Sequence, residues 1–274
     1  MNTENLDKLQ SAVIETINKK ETSSNNKYHF DNLRLFFGED YVVHGITIMQ
    51  PTIGDVIEVG EKKFYSAISP FVSNSTSIRL ALWNLGEKNW CKIKDIQVFS
   101  LLIQNPDTDF TPLKLFFKDF DFTGFRLVGY KDENFADQLG LYDKTSDILL
   151  TEDEYMEIAE YIRTVVDIHP KVEKAKGKTA REWMIQEEQM NFANRTETEN
   201  SNLLPVISAL TNHPGFKYKL EELKQVKMYQ FYDAIQRLQI YEQTHALMSG
   251  SYSGFCDTSK LNKELFNFMR EIKE

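Results

Sequence analysis

Three residues near the middle of the chain, Gly177-Lys178-Thr179, match the end of a phosphate-binding loop. In such a loop, backbone amides and a lysine surround a nucleotide phosphate, and an earlier glycine precedes the second glycine by five positions. Val172 occupies the position of that earlier glycine. The segment also follows a predicted helix, whereas the loop leaves a buried strand, so we predict no nucleotide site here.

A second run resembles a calcium-binding loop in its first half. Asp119, Asp121, Thr123 and Gly124 occupy positions one, three, five and six of such a loop. Position twelve requires a bidentate glutamate, and Tyr130 stands there. Phenylalanines alternate with the polar residues, so we predict a strand with polar edges and no metal site.

Histidine and cysteine offer little further chemistry. The five histidines include no pair four residues apart, the spacing that places two zinc ligands on one helix face. Cys91 and Cys256 are far apart, and the chain has no Gly-x-Ser-x-Gly elbow. We therefore predict no catalytic residue, no metal and no cofactor, with an enzyme of unmarked type as an open alternative.

A basic cluster is followed by acidic residues. Lys171, Lys174, Lys176, Lys178 and Arg181 are interrupted only by one glutamate, and several glutamates come after them. The pattern has two interpretations: a solvated helix face with local ion pairs, or a dock for an acidic partner. The four lysines are accordingly candidate partner-binding residues.

Composition limits the classes of partner. The 274 residues carry a net charge of −9 and a pI near 5.2, so the average field repels nucleic acids and anionic membranes. No apolar run approaches the roughly 20 residues that span a bilayer, and the first residues do not form a secretory signal. We expect a cytoplasmic protein that binds neither nucleic acid nor membrane.

Residues 1–27 are predicted to be an N-terminal helix and linker. Leu6, Leu9, Val13 and Ile17 recur at helical spacing over about residues 5–19. The following polar run is typical of a linker, because it offers little apolar surface to bury.

Residues 28–170 are predicted to form an α+β domain. Leu33–Phe37 and Tyr41–Met49 indicate an antiparallel hairpin around Gly38. Thr52 then caps the first of several short helices, with Asp55 placed three residues later to reach back to the cap. Three short strands follow, over about residues 122–130, 138–142 and 147–150. Thr151 then begins a capping box, the clearest helix start in the chain.

Residues 171–274 are predicted to be an all-helical domain. Its main element is a long helix over about residues 226–248, followed by a turn and a short apolar face near the end of the chain. That face either packs internally or binds a partner. The candidate contact residues in this part are Tyr252, Phe255, Leu265, Phe268 and Met269.

Several segments of the chain, in order, resemble proteins from the tail-morphogenesis modules of long-tailed phages and prophages of Gram-positive bacteria. An early segment, residues 51–61, contains Pro51-Thr52-Ile53-Gly54-Asp55. The later segments are Leu203–Leu210, Pro214–Tyr218, Met228–Phe231, Leu247–Gly254 and Asp257–Lys263. Proteins of this family are usually described as tail-assembly chaperones or uncharacterised tail proteins.

The resemblance implies a non-enzymatic assembly factor. It would hold another tail protein, such as the tape measure or the tube subunit, soluble in the host cytoplasm until incorporation. The alternative within the same resemblance is a structural virion component, a tail connector or baseplate subunit, which would need larger permanent interfaces. Self-association is left open.

Overall fold

A computed structural model of the chain describes residues 28–194, 201–253 and 261–272. The N-terminal helix and linker predicted over residues 1–27 lie outside the described residues, as does Phe255. The architecture is α+β, with small antiparallel sheets and short helices first and a helical region after them, as predicted.

Two compact units divide the chain. The larger unit comprises Phe30–Asn212 and Tyr218–Phe231, and the smaller one includes His213–Lys217 and the residues from Tyr232 onward. The domain boundary at residue 171 stays a prediction from the sequence.

The first helix corrects a prediction. Residues Asn32–Phe37 form helix α1, not a strand. The carboxylate of Asp31 accepts hydrogen bonds from the backbone amides at 33 and 34, and Gly38 ends the helix with a left-handed φ of 71°. Caps at both ends therefore outweigh the strand preference of the apolar residues between them.

The hairpin lies entirely within the run predicted to be its second strand. Strands β1 (Tyr41–Val43) and β2 (Ile46–Ile48) pair antiparallel. The two residues between them, His44 and Gly45, have φ values of 49° and 77°. Two positive φ values at a two-residue connection match the right-handed twist of hairpin strands, which explains the tight turn.

Five short helices follow the hairpin, and Thr52 begins the first with a capping box closed by Asp55, as predicted. The amide of Gly54 donates to the carbonyl of Lys224 at 2.9 Å, so the helix approaches a distant backbone closely. The helices are α2 (Ile53–Val59), α3 (Glu61–Val72), α4 (Arg79–Asn84), α5 (Asp95–Leu102) and α6 (Lys114–Phe117).

A three-stranded antiparallel sheet in the order β3-β4-β5 follows, close to the predicted strands. The strands are β3 (Arg126–Lys131), β4 (Asp137–Asp143) and β5 (Ile148–Thr151). Helix α7 (Glu152–Val166) begins directly after β5, and Thr151 and Glu154 form its predicted capping box.

Aromatic rings fill the core of the larger unit. Phe71 packs against Phe99, Phe117 and Phe122, with ring centroids 5.1–5.4 Å apart. Tyr155 of α7 is fully buried beside Phe99, and its hydroxyl donates to the carbonyl of Pro70 at 3.2 Å, so burial raises the pKa of this tyrosine. Core packing therefore accounts for much of the high aromatic content.

One buried arginine joins the helices around that core. Arg163 of α7 donates to the carbonyls of Phe71 and Ser73 at 3.0 and 3.1 Å, and pairs with Asp95 at 2.7 Å and Glu160 at 2.6 Å. Burial lowers the pKa of Arg163, but the charge and hydrogen bond of Asp95, together with Tyr155 and Glu160, outweigh it, so the net shift is upward. The side chain is a structural cation with several partners.

The rest of the described chain is helical. Its helices are α8 (Lys178–Ala193), α9 (Leu203–Thr211), α10 (Leu220–Leu223) and α11 (Met228–Tyr252). On α11, Met228 and Phe231 are buried, as predicted, but farther along Ile240 and Thr244 are buried while Tyr241 is exposed. The predicted apolar stripe therefore fits the start of the helix but not its later part.

Candidate partner-binding surfaces

Neither the phosphate-loop motif nor the calcium-loop motif has the local structure that such a loop requires. Gly177 begins α8 in an extended conformation, after residues without strand structure, so the phosphate-loop context is absent. The carboxylate of Asp121 accepts hydrogen bonds from the backbone and the hydroxyl of Thr123, both at 2.8 Å, which closes a local turn. The described residues contain no group of three or more His, Cys, Asp or Glu side chains that could hold a metal.

The candidate lysines lie on residues 171–178, which extend from the connection after α7 to the first residue of α8 and which we call the basic segment. Residues 168–176 contain no helix, turn or bend, and exposure alternates residue by residue from 172 to 178. An alternation of two is the period of an extended strand. Val172, Lys174, Lys176 and Lys178 are the exposed residues of this alternation, while 173, 175 and 177 are half-buried.

Asn74 attaches the beginning of the basic segment to the larger unit. Its buried side-chain amide donates to the carbonyl of Lys171 at 3.0 Å and to that of Pro170 at 3.4 Å. Its carbonyl oxygen accepts from the backbone amide of Ser77 at 2.9 Å. One side chain therefore satisfies the polar groups of two segments almost a hundred residues apart.

Two further contacts hold Glu173, two residues after Lys171. The backbone amide of Glu173 donates to the hydroxyl of Thr76 at 3.1 Å, and its carboxylate pairs with the guanidinium of Arg79. Arg79 also pairs with Glu188 of α8 at 2.7 Å. The backbone of the basic segment is thus fixed on one side by residues 74–79.

Helix α8 is held by a small apolar cluster of its own. Ile185 is buried with Leu82 of α4 and Trp90, and Met184 packs at the edge of the same cluster. This packing fixes the helix that follows the basic segment, so the segment is anchored at both ends.

The four lysines of the basic segment are exposed to solvent. Lys178 lies 3.9 Å from Glu182, in a largely exposed pair. Within the part of the chain that the structure describes, Lys171, Lys174 and Lys176 form no ion pair. The interpretation as a helix face with local ion pairs therefore fits Lys178 alone, and the other three lysines form an unneutralised positive ridge on an acidic protein.

The second candidate surface is a β-turn in the smaller unit, Asn267–Arg270, which we call the C-terminal turn. Its two central residues, Phe268 and Met269, are 54% and 71% exposed. The amide of Arg270 donates to the carbonyl of Asn267 at 3.2 Å, and the amide of Met269 donates to the Asn267 side chain at 3.0 Å. Asparagine is a favoured first residue of such a turn.

Two arginines hold the C-terminal turn against α11. The guanidinium of Arg270 donates to the carbonyl of Leu265 at 2.9 Å and to the side chain of Gln243 at 3.1 Å. Arg237 donates to the carbonyl of Arg270 at 2.6 Å. The two apolar side chains are therefore displayed on a fixed backbone.

The remaining candidates differ in their surroundings. Tyr252, at the end of α11, is 87% exposed. Leu265 is only 4% exposed, and its carbonyl accepts a hydrogen bond from the buried hydroxyl of Thr244 at 3.1 Å. In this structure Leu265 packs internally, whereas Phe268 and Met269 stand at the surface.

The residues that position both surfaces were not recognised in the sequence. Asn74, Thr76 and Arg79 place the basic segment, and Arg237 and Arg270 place the C-terminal turn. The polar run at residues 74–77 is a local signal for the first group. Its partners lie too far along the chain for spacing to reveal them.

Comparison with known families gives one result. Residues 194–273 match the family described as the YomV second domain, which is phage-associated. The match covers α9 to α11 and the C-terminal turn, and it supports a phage origin. No curated protein and no solved structure matches the chain. Among the described residues, no helix is both long enough and apolar enough to cross a membrane.

Proposed function

We propose that this chain is a phage tail assembly factor that binds another tail protein, such as the tape measure or the tube subunit, without catalysing a reaction. The observation that carries the proposal is the match of residues 194–273 to a phage-associated family. The ordered resemblance of residues 51–61 and of the later segments to tail-module proteins supports the finer assignment to tail assembly.

The surfaces are of the kind that a binding protein needs. The C-terminal turn holds two large apolar side chains on a fixed backbone, which lowers the entropy lost when a partner binds them. The basic segment offers three lysines, at 171, 174 and 176, that form no ion pair within the described residues. A factor that must release its cargo needs small, reversible contacts of this kind rather than one large apolar interface.

Gene deletion combined with mass spectrometry of purified particles tests the proposal. If the chain is an assembly factor, deletion reduces the number of complete tails seen by electron microscopy, and the chain is absent from wild-type particles. Stoichiometric retention in the particle would instead identify a connector or baseplate subunit. Normal tail number and length after deletion would contradict both tail roles.

Co-expression tests the cargo directly. We expect the tape measure or tube subunit to stay soluble, in the cytoplasm of the host, only when this chain is present. The double variant Phe268→Ser/Met269→Ser is expected to lose this effect. Val42→Ser/Leu85→Ser, which removes two exposed apolar side chains elsewhere, is the matched control and should retain it.

A further inference from the structure

The basic segment behaves as a single strand that has one pairing edge left open. In an extended chain, the backbone groups of alternate residues point to the same lateral side. The carbonyl of Lys171 and the amide of Glu173 both point toward residues 74–76, where they are hydrogen-bonded. The backbone groups of Val172, Lys174 and Lys176 therefore point to the opposite side.

That opposite edge has no partner in the structure. Within the described residues, no hydrogen bond involves the backbone amide or carbonyl of Val172, Lys174 or Lys176. The segment belongs to neither sheet of the fold. Such a row of free donors and acceptors is a template on which an extended peptide can add as a further strand.

Side chains on the same residues specify what would pair there. The exposed face presents Val172, then Lys174 and Lys176, at alternate positions. In an antiparallel pair, residues directly opposite each other lie on the same face, with Cα atoms roughly 5.5 Å apart in hydrogen-bonded pairs. A partner strand would thus meet two lysines at its alternate positions and an apolar side chain two residues later.

We propose that the basic segment binds an extended segment of another protein, added as an antiparallel strand, with acidic residues opposite Lys176 and Lys174 and an apolar residue opposite Val172. The partner sequence, in its own direction, is Glu-x-Glu-x-Val or a chemical equivalent. This inference deepens the proposed function and depends on the chain being a binding protein. It identifies the chemistry of the cargo segment.

Exposed lysines could also bind a nucleic acid, but the net charge of the chain disfavours it. At −9, the whole molecule repels a nucleic acid backbone beyond the immediate contact. A short acidic peptide brings few charges, and the backbone ladder supplies binding that a nucleic acid cannot provide. The observed free edge therefore favours a polypeptide.

The test measures fluorescence anisotropy of labelled peptides with the full chain. We expect a peptide with the core Glu-Thr-Glu-Thr-Val to bind several-fold more tightly than the reversed order, since the pairs at Lys176 and Val172 become mismatched while the central Glu still lies opposite Lys174. The same peptide with alternate backbone amides methylated keeps its charges but cannot form the ladder, and should not bind. Equal binding by the methylated peptide would overturn the strand-addition mechanism.

Protein variants test the site itself. Lys174→Glu/Lys176→Glu is expected to weaken the peptide about tenfold or more. Lys62→Glu/Lys144→Glu makes the same charge change at exposed lysines elsewhere and should leave binding within about twofold. Equal losses in both variants would show a general charge effect and overturn the assignment.

Two further measurements separate other occupants. Tighter binding of single-stranded DNA than of the acidic peptide would identify a nucleic acid surface and overturn the proposal. Sedimentation tests for self-association. If the chain self-associates and Lys174→Glu/Lys176→Glu abolishes this, the occupant is a second copy of the chain, which would also overturn the proposal. The peptide experiments use purified protein and are independent of the gene deletion. If the chain does not bind the peptide but its deletion still gives defective tails, this inference is rejected and the proposed assembly role is not.

Discussion

Asn74 donates its buried side-chain amide to the carbonyl oxygen of Lys171 at 3.0 Å. This bond joins the end of α3 to the start of the basic segment, and the asparagine carbonyl simultaneously accepts from Ser77. The position of the start of the basic segment therefore depends in part on an uncharged residue that is almost fully buried.

Asn74→Ala should destabilise the larger unit by about 1–3 kcal/mol, because it removes the hydrogen bonds to the carbonyl of Lys171 and from the amide of Ser77, each worth about 0.5–1.5 kcal/mol. Urea unfolding measures this change. Asn134→Ala, in an exposed turn, is the control and should stay within about 0.5 kcal/mol. A neutral Asn74→Ala would mean that the basic segment is held by other contacts.

Replacing Arg163 by Met should cost about 3–5 kcal/mol, since it leaves Asp95 and the carbonyls of Phe71 and Ser73 without this donor. Thermal and urea unfolding would record the loss. The matched control is Arg34→Met, because Arg34 forms an exposed pair with Glu39 and should change stability by at most about 1 kcal/mol. Similar effects of the two variants would contradict the structural role of the buried arginine.

Glu154 should give the larger unit an acid-dependent stability. Burial raises the pKa of Glu154, but hydrogen bonds from Thr151 and His44 outweigh it and hold the pKa below the ordinary value of 4.5. A carboxylate with a lowered pKa stabilises the fold above the unfolded value, and this contribution is lost as pH falls through the folded value.

Glu154→Gln should therefore lower the free energy of unfolding near neutral pH, and the difference from wild type should shrink as pH falls below about 4.5. Urea titrations at several pH values would follow it. Glu133→Gln, at an exposed turn, should change stability by less than about 0.5 kcal/mol at neutral pH. A difference that grows toward low pH would contradict the assignment.

Variants of Leu265 and of the C-terminal turn should differ in their effect on stability. Leu265→Ala should destabilise the smaller unit by about 2–5 kcal/mol because it removes a buried side chain. Phe268→Ser and Met269→Ser should leave unfolding within about 0.5 kcal/mol, since both side chains are exposed. Hydrogen exchange of the α11 amides would report the difference, and strong destabilisation by the exposed pair would place them in the core.

Gly54→Ala tests the close backbone approach at the start of α2. An added Cβ would lie 2.6 Å from the carbonyl oxygen of Lys224, so the two segments must separate, at a cost of about 1–3 kcal/mol despite the better helix propensity of alanine. Gly129→Ala, whose Cβ would meet only an ordinary contact at 3.9 Å, is the control for denaturation experiments. Equal stability of both variants would argue against this contact.

Local signals in the sequence predicted several elements well. The capping boxes at Thr52 and Thr151 are formed as expected, because every group in such a box lies within four residues. The three-strand region and the long helix were also predicted, since their apolar periods persist over many residues. The strand predicted over Leu33–Phe37 was wrong, because Phe36 and Phe37 favour strands locally. The helix there depends on single capping residues on either side, Asp31 and Gly38.

Composition and local pattern by themselves determined an acidic α+β chain, its main helices and a run of lysines without a catalytic motif around them. Only the tertiary structure decided that this run is extended and pinned by Asn74, that Leu265 is buried, and that Phe268 and Met269 are displayed. Exposure and hydrogen-bond partners depend on residues far apart in the chain. No spacing rule encodes such contacts, because they arise only when the segments pack together.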